Sequence, residues 1–584
     1  MVLVTTALEE TFPKDKNKKI LFLGEWCKLY SRKGIYKQYD YETLLYHWDD
    51  REKLYQDTQY IDTVYEKYLK LLKENLNEIH NVSYTLSYWR IILGPWLRYF
   101  IEIVYDRYLS ILEASKKNID YVNILNFNDE SIVSHNMEDF TKLCMGDIWN
   151  QFIYQNIINY FNINQKIVIS DIYIKENLVR KNTLKIYIKK FLFYINKFNS
   201  IHFFSSNINN KDRMLLQCNL KQIPMPIDSS LDIEIVANYS KSLRDMLQFS
   251  SNSLFEKILV NLIKKQIPIY YLEGYSMFRQ KVLNIYPNKA DIIFTADSFE
   301  INDTFKFWSA EKKEQGANYI IGQHGGNYGM GLFASHEEHQ IKSSDKFFSW
   351  GWSFENNKVI PVSAIKLNKK IKFNKKGNIL VPLMSTSRYS FHIMAMPIAG
   401  QILNYFDDQV KFLNLVSNNV KKILKLRIYQ HDYDWNMKKR LVDSGFQHLI
   451  DTEENLSKSF HERLSECRLC ICTYNATTYL ETFSANYPTL LFWNPLHWEL
   501  RDDVKPYFDI LIKAGILHYS EDSLVKKIDQ IYKNPSEWWN QDNVQNAKNI
   551  FCNKFANFEA DFLLDYKKNL KVVPTIIGGS HVAE

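Results

Sequence analysis

The apolar positions of the chain follow two periods. "KKILFLGEWCKLY" (residues 18–30) places two lysines before a continuous apolar run that stops at Gly24, the pattern of a parallel strand buried on both faces. From about residue 50 to 161 the pattern lengthens into segments such as "LYQDTQYIDTVYEKYLKLLKENLNEI", which predict long helices inserted into a first α/β unit. Residues 160–225 are rich in Asn, Lys and Ile and have no readable period. Short apolar runs then return. "IPIYYLEGY" (267–275) and "KADIIFTAD" (289–297) predict strands, and "FKFWSAEKKEQG" (305–316) predicts a helix closed by Gly316. "ANYIIGQHGG" predicts a strand running into a glycine loop, and "DKFFSWGW" (345–352) follows.

The charged, aperiodic stretch 367–378 predicts a linker between two units. Beyond it, "NILVPLM" (378–384), "KKILKLRIYQ" (421–430), "CRLCICTY" (467–474) and "YPTLLFW" (487–493) predict strands, "NATTYLETFSAN" (475–486) a helix, and the last part of the chain mostly helix. The expected class is α/β: two Rossmann-like domains facing a cleft, with a helical insertion at about 50–161. The N-terminal unit is expected at 1–366 and the C-terminal unit at 378–570, and 571–584 reads as a tail. In open α/β sheets, ligands sit beyond the carboxyl ends of the strands.

Composition narrows the classes. Nearly half of the 584 residues are apolar, with 38 Tyr and 36 Phe, so the chain has material for large cores. The net charge of +7 suits anionic ligands or an anionic membrane surface, but the basic residues form no dense stripe, and nucleic acid is not an expected partner. No run approaches the roughly 18 apolar residues of a spanning helix, and the start has no secretory pattern. Seven cysteines, an odd number, suggest a reducing compartment, and the expected location is the cytoplasm. Cys467, Cys470 and Cys472 read as small apolar residues of a buried strand, because no second ligand pair follows them at zinc spacing; no metal is expected.

Three constellations could carry chemistry. Asp297 and His324 each end a predicted strand, as does Glu273 in "YYLEG", so neighbouring parallel strands would bring Glu, Asp and His to one rim. The structural alternative is that each caps the turn that follows. For His324 the glycines weigh towards function: of 18 glycines, five lie in "GQHGGNYGMG" (322–331), and such a cluster implies close approach of backbone to something else. Gln323, Gly325 and Gly326 are candidates for donor contact there. In "TYNATTYLE", a strand ends at Tyr474 and Asn475 or Thr477 caps a helix; the free amides with the hydroxyls of Thr477 and Thr478 make an anion site, followed by Glu481. The alternative is an ordinary capped turn. Ser385, Ser387 and Arg388 after a strand, and Arg427 inside one, suit phosphate or carboxylate, with a structural ion pair of Arg427 to Asp432 or Asp434 as the alternative. No dinucleotide fingerprint, P-loop or nucleophile elbow is present.

"FLGEWCKLY", "YHWDDREKLYQD", "YLEGY", "GQHGGNYG", "SWGW", "YNATTYLETFSANYPTLLFWNP" and "WW…VQNAKNIF" together resemble a family of transferases encoded in bacterial surface-polysaccharide (O-antigen) gene clusters, over residues 3 to 560 or so. More distantly, "QHG" after a strand with a late "TTYLE…PT" unit resembles the capsule and O-antigen Kdo transferases. That resemblance implies a GT-B fold and a CMP-linked ulosonic acid donor as co-substrate, without a resident cofactor. It implies an acceptor side on 1–366, for a glycan or lipid-linked acceptor, and a nucleotide-sugar side on 378–570. Separately, the missing signal, the absent spanning run, the positive charge and the aromatic surplus suggest peripheral association at the inner face of a membrane. By motif, His324 matches the family's histidine; Asp297 and Glu273 follow by order and strand-end position, Asp297 as nucleophile and Glu273 as acid/base. A UDP- or dTDP-linked sugar, a CDP-linked polyol, and a non-catalytic carbohydrate-binding scaffold stay open as alternatives.

Overall fold

The computed structural model describes residues 1–168, 183–231, 233–354, 357–367, 371–558 and 562–570. The expected tail at 571–584 and residues 368–370 of the expected linker lie outside the described residues. Among the described residues, fifteen strands form three five-stranded sheets, each parallel throughout.

The first sheet joins β1 (Val2–Val4), β2 (Ile20–Phe22), β3 (Tyr41–Thr43), β4 (Tyr121–Leu125) and β5 (Gln165–Val168) in the order β3-β2-β1-β4-β5. The second joins β6 (Ile201–Phe204), β7 (Ile292–Thr295), β8 (Asn318–Gly322), β9 (Lys346–Ser349) and β10 (Val359–Pro361) in unbroken sequence order. The third joins β11 (Asn378–Pro382), β12 (Leu424–Arg427), β13 (Cys467–Cys472), β14 (Thr489–Phe492) and β15 (Leu517–His518) in the order β12-β11-β13-β14-β15.

The α/β, GT-B-type class expected from the sequence holds, since the carboxyl rims of the second and third sheets face each other; the number of sheets does not. The expected insertion at 50–161 is instead the crossover of a complete first sheet. Its long helices are present, Arg51–His80 capped by Asp50 and Leu86–Ser115 capped by Thr85. Yet Tyr121–Leu125 returns beside β1, with Val2 opposite Tyr121. The helical period of the flanking segments hides this strand in the sequence.

The helix Leu86–Ser115 explains how the first two sheets share one core. "RIILGPWLRYFIEIV" is apolar on every side, so the helix must be surrounded. It packs along Arg51–His80, against Asp147–Ile158 of the first sheet and against Asp303–Glu314 of the second. Trp89, Trp96, Phe100 and Ile103 have no exposed surface.

Most predicted elements of the later chain recur. The strands at 289–297, 317–322, 378–384 and 467–474 contain β7, β8, β11 and β13, and Gly316 sits at φ +96° just past Asp303–Glu314. The strand expected at 267–275 is a correction. Ile269–Tyr271 is a single 3-10 turn leading into the helix Tyr275–Ile285. The apolar run is buried there without alternation, and length alone could not separate strand from turn.

Candidate functional site

Three carboxyl rims are available, and their contents differ. In the first sheet the strand order reverses between β1 and β4, where an open sheet forms a crevice. That crevice is filled by protein: the Thr5 and Thr6 hydroxyls donate to Gln151 Oε1 at 2.9 and 2.7 Å, and Ala7 N donates to Asp147.

At the rim of the second sheet, β6 is followed by Ser205 and Asn207, both at positive φ (46° and 58°). Asn207 Nδ2 donates to Asp297 Oδ2 at 2.8 Å. Asp297 occupies the N-cap position of the short helix Ser298–Ile301, but its side chain makes no capping bond. The Ser298 amide bonds Thr295 Oγ1 instead, at 2.9 Å. The capping alternative for Asp297 therefore has no bond behind it, and its carboxylate is 47% exposed. Its Oδ1 lies 3.6 Å from His324 Nδ1.

His324 stands where β8 gives way to the glycine loop. The Tyr328 hydroxyl is 3.1 Å from Nδ1 and itself accepts from Gln340 Nε2 at 2.8 Å. Burial lowers the His324 pKa below the ordinary imidazole value, while Asp297 and Glu300 pull it back up and Lys366 opposes them. The imidazole is thus neutral at neutral pH, able to accept a proton or to hold one at a chosen nitrogen. Glu300 follows Asp297 by three residues, on the same side of a helical turn, and accepts from Tyr99 Oη at 2.6 Å. His336 and His392 continue the row, each ring 6.4 Å from the next, starting at His324. Burial lowers both pKa values, His392 to about 4. Among the described residues no three His, Cys, Asp or Glu side chains are disposed to hold a metal ion.

Glu273 is not part of this cluster. Both its oxygens are taken by Arg244, at 2.7 and 3.0 Å, and Oε1 also accepts from Ser240 N. With side chains 2% and 5% exposed, the pair is a buried structural bridge. Glu300, Tyr99, Tyr328, His336 and His392 are the members that sequence reading missed. Glu300 lay in the quoted "TADSFEIND", where its three-residue spacing from Asp297 was the available signal. The others come from distant segments.

The glycines answer to a different neighbour from the one expected. Gly326 packs on the third sheet's unit, so closely that a Cβ there would sit 2.3 Å from Ala476 C and 2.5 Å from Thr477 N. Its amide donates to Thr477 Oγ1 at 2.8 Å. Backbone approaches backbone at this point, not a sugar or phosphate. At Gly325 the nearest atom to a Cβ would be Thr477 Oγ1, at 3.5 Å, which leaves ordinary space. Gln323 is internal: its Oε1 accepts from Trp350 N and Trp352 Nε1, and its Nε2 donates to Gly325 O.

In the third sheet the strand order reverses between β11 and β13, and the helix Thr477–Ser484 begins just beyond that point. Neither Asn475 nor Thr477 caps it. Ala476 holds the N-cap position and provides no side-chain bond. Asn475 instead bridges Asn327 and the Tyr479 hydroxyl, and Thr478 bonds Tyr474 Oη at 2.7 Å. Glu481 lies 3.1 Å from His461 Nε2. The two arginines expected to meet an anion are engaged elsewhere. Arg388 bonds Trp26 O and Asp147 and reaches Asp434. Arg427 donates to the carbonyls of Asn455 and Lys458 at 3.1 and 2.7 Å, rather than pairing with Asp432 or Asp434. Ser385 Oγ donates to Asp432 O, and Ser387 Oγ is buried without a hydrogen-bond partner among the described residues. The sequence contains one Asp-x-Asp pair, Asp432 and Asp434, which the metal-free expectation passed over. Asp432 accepts from the amides of Asn436 and Met437, so it serves as a loop and helix cap.

Beside the end of β12 lies a cavity of about 650 Å³, with Ile428, Tyr429, Val442 and Leu456 as its apolar wall and Asp432 and Lys438 among its polar groups. Tyr433, Asp434 and Asn436, in the loop that borders it, are all at positive φ, which for non-glycine residues stores strain of a kind found at ligand clamps.

A family profile described as "LIC12162 family transferase" matches residues 1–570. No curated protein matches the chain. Among solved structures, WaaG, described as a glycosyltransferase involved in lipopolysaccharide biosynthesis, is similar at 12% identity and a TM-score of 0.25, over 51% of this chain and 80% of that one.

Proposed function

The chain belongs to the LIC12162 family of transferases, and from that premise we propose that it transfers a glycosyl group from a nucleotide-linked donor to a glycan or lipid-linked acceptor at the inner face of a membrane. The observation that carries this reading is the bond from Gly326 N to Thr477 Oγ1. It sets the Asp297–His324 pair beside the start of an uncapped helix. The Gly326 backbone covers the Thr477 amide, so an anionic leaving group at that helix start meets the favourable dipole through the next amides of the first turn. The sugar it leaves then lies against a partly exposed carboxylate. β12 and β13 are two strand spacings apart, roughly 10 Å, a span that lets a nucleoside occupy the cavity beyond β12 while its phosphate reaches the first turn of that helix beside the Gly326–Thr477 contact.

The chemistry follows from the residues. Asp297 attacks the anomeric carbon or stabilises its positive charge, as glycosyl transfer requires of a flanking carboxylate. His324, neutral and 3.6 Å from that carboxylate, accepts or orients a proton. Glu300 takes the second-carboxylate role that sequence reading gave to Glu273. A CMP-linked ulosonic acid is the donor to try first, on the strength of the "QHG" and "TTYLE" resemblance. Helix amides can hold the leaving phosphate without a divalent ion, so activity is expected to persist after chelation.

A thermal-shift panel of CMP, UDP, dTDP and CDP-glycerol tests the reading, followed by transfer assays with the matching donor in EDTA. CMP should raise the melting temperature. A shift by another nucleotide alone would replace the donor, and a flat response to all four would favour a non-catalytic carbohydrate-binding scaffold.

A further inference from the structure

The helix Thr183–Asn196 and the residues just after it present a surface that the proposed chemistry does not use. Phe191, Tyr194 and Phe198 are 62%, 62% and 72% exposed. Tyr194 and Phe198 meet edge to face, with ring centres 6.3 Å apart. Isolated exposed apolar residues need no explanation, but three aromatics along one helix and its exit do. The opposite side of this helix is well anchored, because Phe193 is buried against Phe204 and Tyr286. The exposed rings are therefore held out by a packed helix.

Charge identifies the occupant. Residues 183–211 contain five lysines and no Asp or Glu. Lys197 donates to Asn284 O on the neighbouring helix Tyr275–Ile285. That helix adds exposed Met277 and Lys281, at i and i+4 on one face, and Lys289 follows on the next loop, 73% exposed and 3.9 Å from Asp291. Aromatic rings with lysines around them suit an interface that is apolar below and anionic above.

We propose that this face docks on an anionic lipid surface, with Phe191, Tyr194 and Phe198 entering the headgroup layer and Lys197 and Lys281 meeting phosphates. The position gives it a use. Phe193, beneath the face, packs on Phe204, the last residue of β6, and β6 leads directly into Ser205 and Asn207 beside Asp297. A lipid-linked acceptor would enter the site from the membrane side. This use rests on the proposed transfer reaction, whereas the lipid contact does not.

The test is co-sedimentation of the full chain with vesicles of phosphatidylglycerol and phosphatidylcholine, against phosphatidylcholine alone, at low and high salt. The wild type should bind the anionic vesicles and release as salt shortens the reach of charge. Phe191→Ser with Phe198→Ser should weaken binding by about tenfold or more, with an unchanged melting temperature because these rings are exposed. Lys197→Glu with Lys281→Glu should weaken it severalfold, compared at equal folded fraction because Lys197 is half-buried and bonds Asn284 O. Wild type that stays in the supernatant, or variants that bind equally, would overturn the proposal. So would light scattering that shows a dimer dissolved by the aromatic substitutions. Transfer to a soluble acceptor fragment separates the two readings: wild type that transfers but does not bind vesicles removes only the docking face, and wild type that binds vesicles but does not transfer removes only the reaction.

Discussion

The rims of the second and third sheets present polar residues at strand ends in similar numbers, and they use them in opposite ways. At the third sheet, Arg388, Arg427 and Asp432 are all satisfied by protein partners. At the second, Asp297 accepts one bond from Asn207, faces His324 at 3.6 Å and keeps nearly half its surface. The third sheet has the strand-order reversal that marks a crevice, and the second has none. A strand-end position is thus a weak guide to chemistry. The sharper question is which polar groups have capacity left after the fold has taken its share. By that measure the groups proposed to react belong to the second sheet, and the third offers amides and a cavity.

The largest expected effect breaks or upholds this contrast at Asp297. Asp297→Asn keeps the shape and the Asn207 contact but removes the charge. Transfer should fall by several orders of magnitude, as for the loss of a group that acts on the reacting centre, while the melting temperature changes little. Intact-mass measurement with donor alone should show a sugar adduct on the wild type and none on the variant. The pH profile adds a sign. Because the His324 pKa is lowered from 6.5, its neutral form persists through neutrality, and the rate should fall only as pH drops below that ordinary value. A rate that rises on acidification would mean that the imidazolium is the active form.

Glu273 tests the other side of the contrast. Glu273→Gln leaves the Arg244 guanidinium buried beside a neutral amide, and breaking a buried pair costs about 3–5 kcal/mol. Denaturant unfolding should register that loss, with near-normal turnover per folded molecule. Unchanged stability with lost turnover would return Glu273 to the site.

What the sequence made legible follows from this contrast. The apolar runs located β7, β8, β11 and β13, because a buried parallel strand has little freedom in its composition. His324 and Asp297 were legible for the same reason: each directly follows such a run. Glu273 was misread because "IPIYYLEGY" is buried as a turn, and burial looks alike in either geometry. The partners of Arg388, at Asp147 and Trp26, are 241 and 362 residues away, and no local pattern encodes them. The same holds for His392, which reaches the His324 row from the loop after β11.

The smallest expected effect separates two adjacent glycines. At Gly326 an added methyl would meet the backbone of Ala476 and Thr477, at 2.3 and 2.5 Å. Backbone on both sides cannot rotate away, so Gly326→Ala should cost about 1–3 kcal/mol of stability, the range for overpacking. The two rims would be forced apart, and turnover would fall with them. At Gly325 the same methyl would find only ordinary contacts, at 3.5 and 3.6 Å, and Gly325→Ala should change stability by no more than about 0.5 kcal/mol. Any loss of donor affinity in that variant then comes from the ligand side of the loop, because the fold has not moved. If Gly325→Ala binds nucleotide and turns over like the wild type, Gly325 has no donor contact, and the glycine pair is explained by the Gly326 backbone contact alone. If both variants unfold alike, the loop is tighter than its neighbours indicate, and the contrast between the two positions fails.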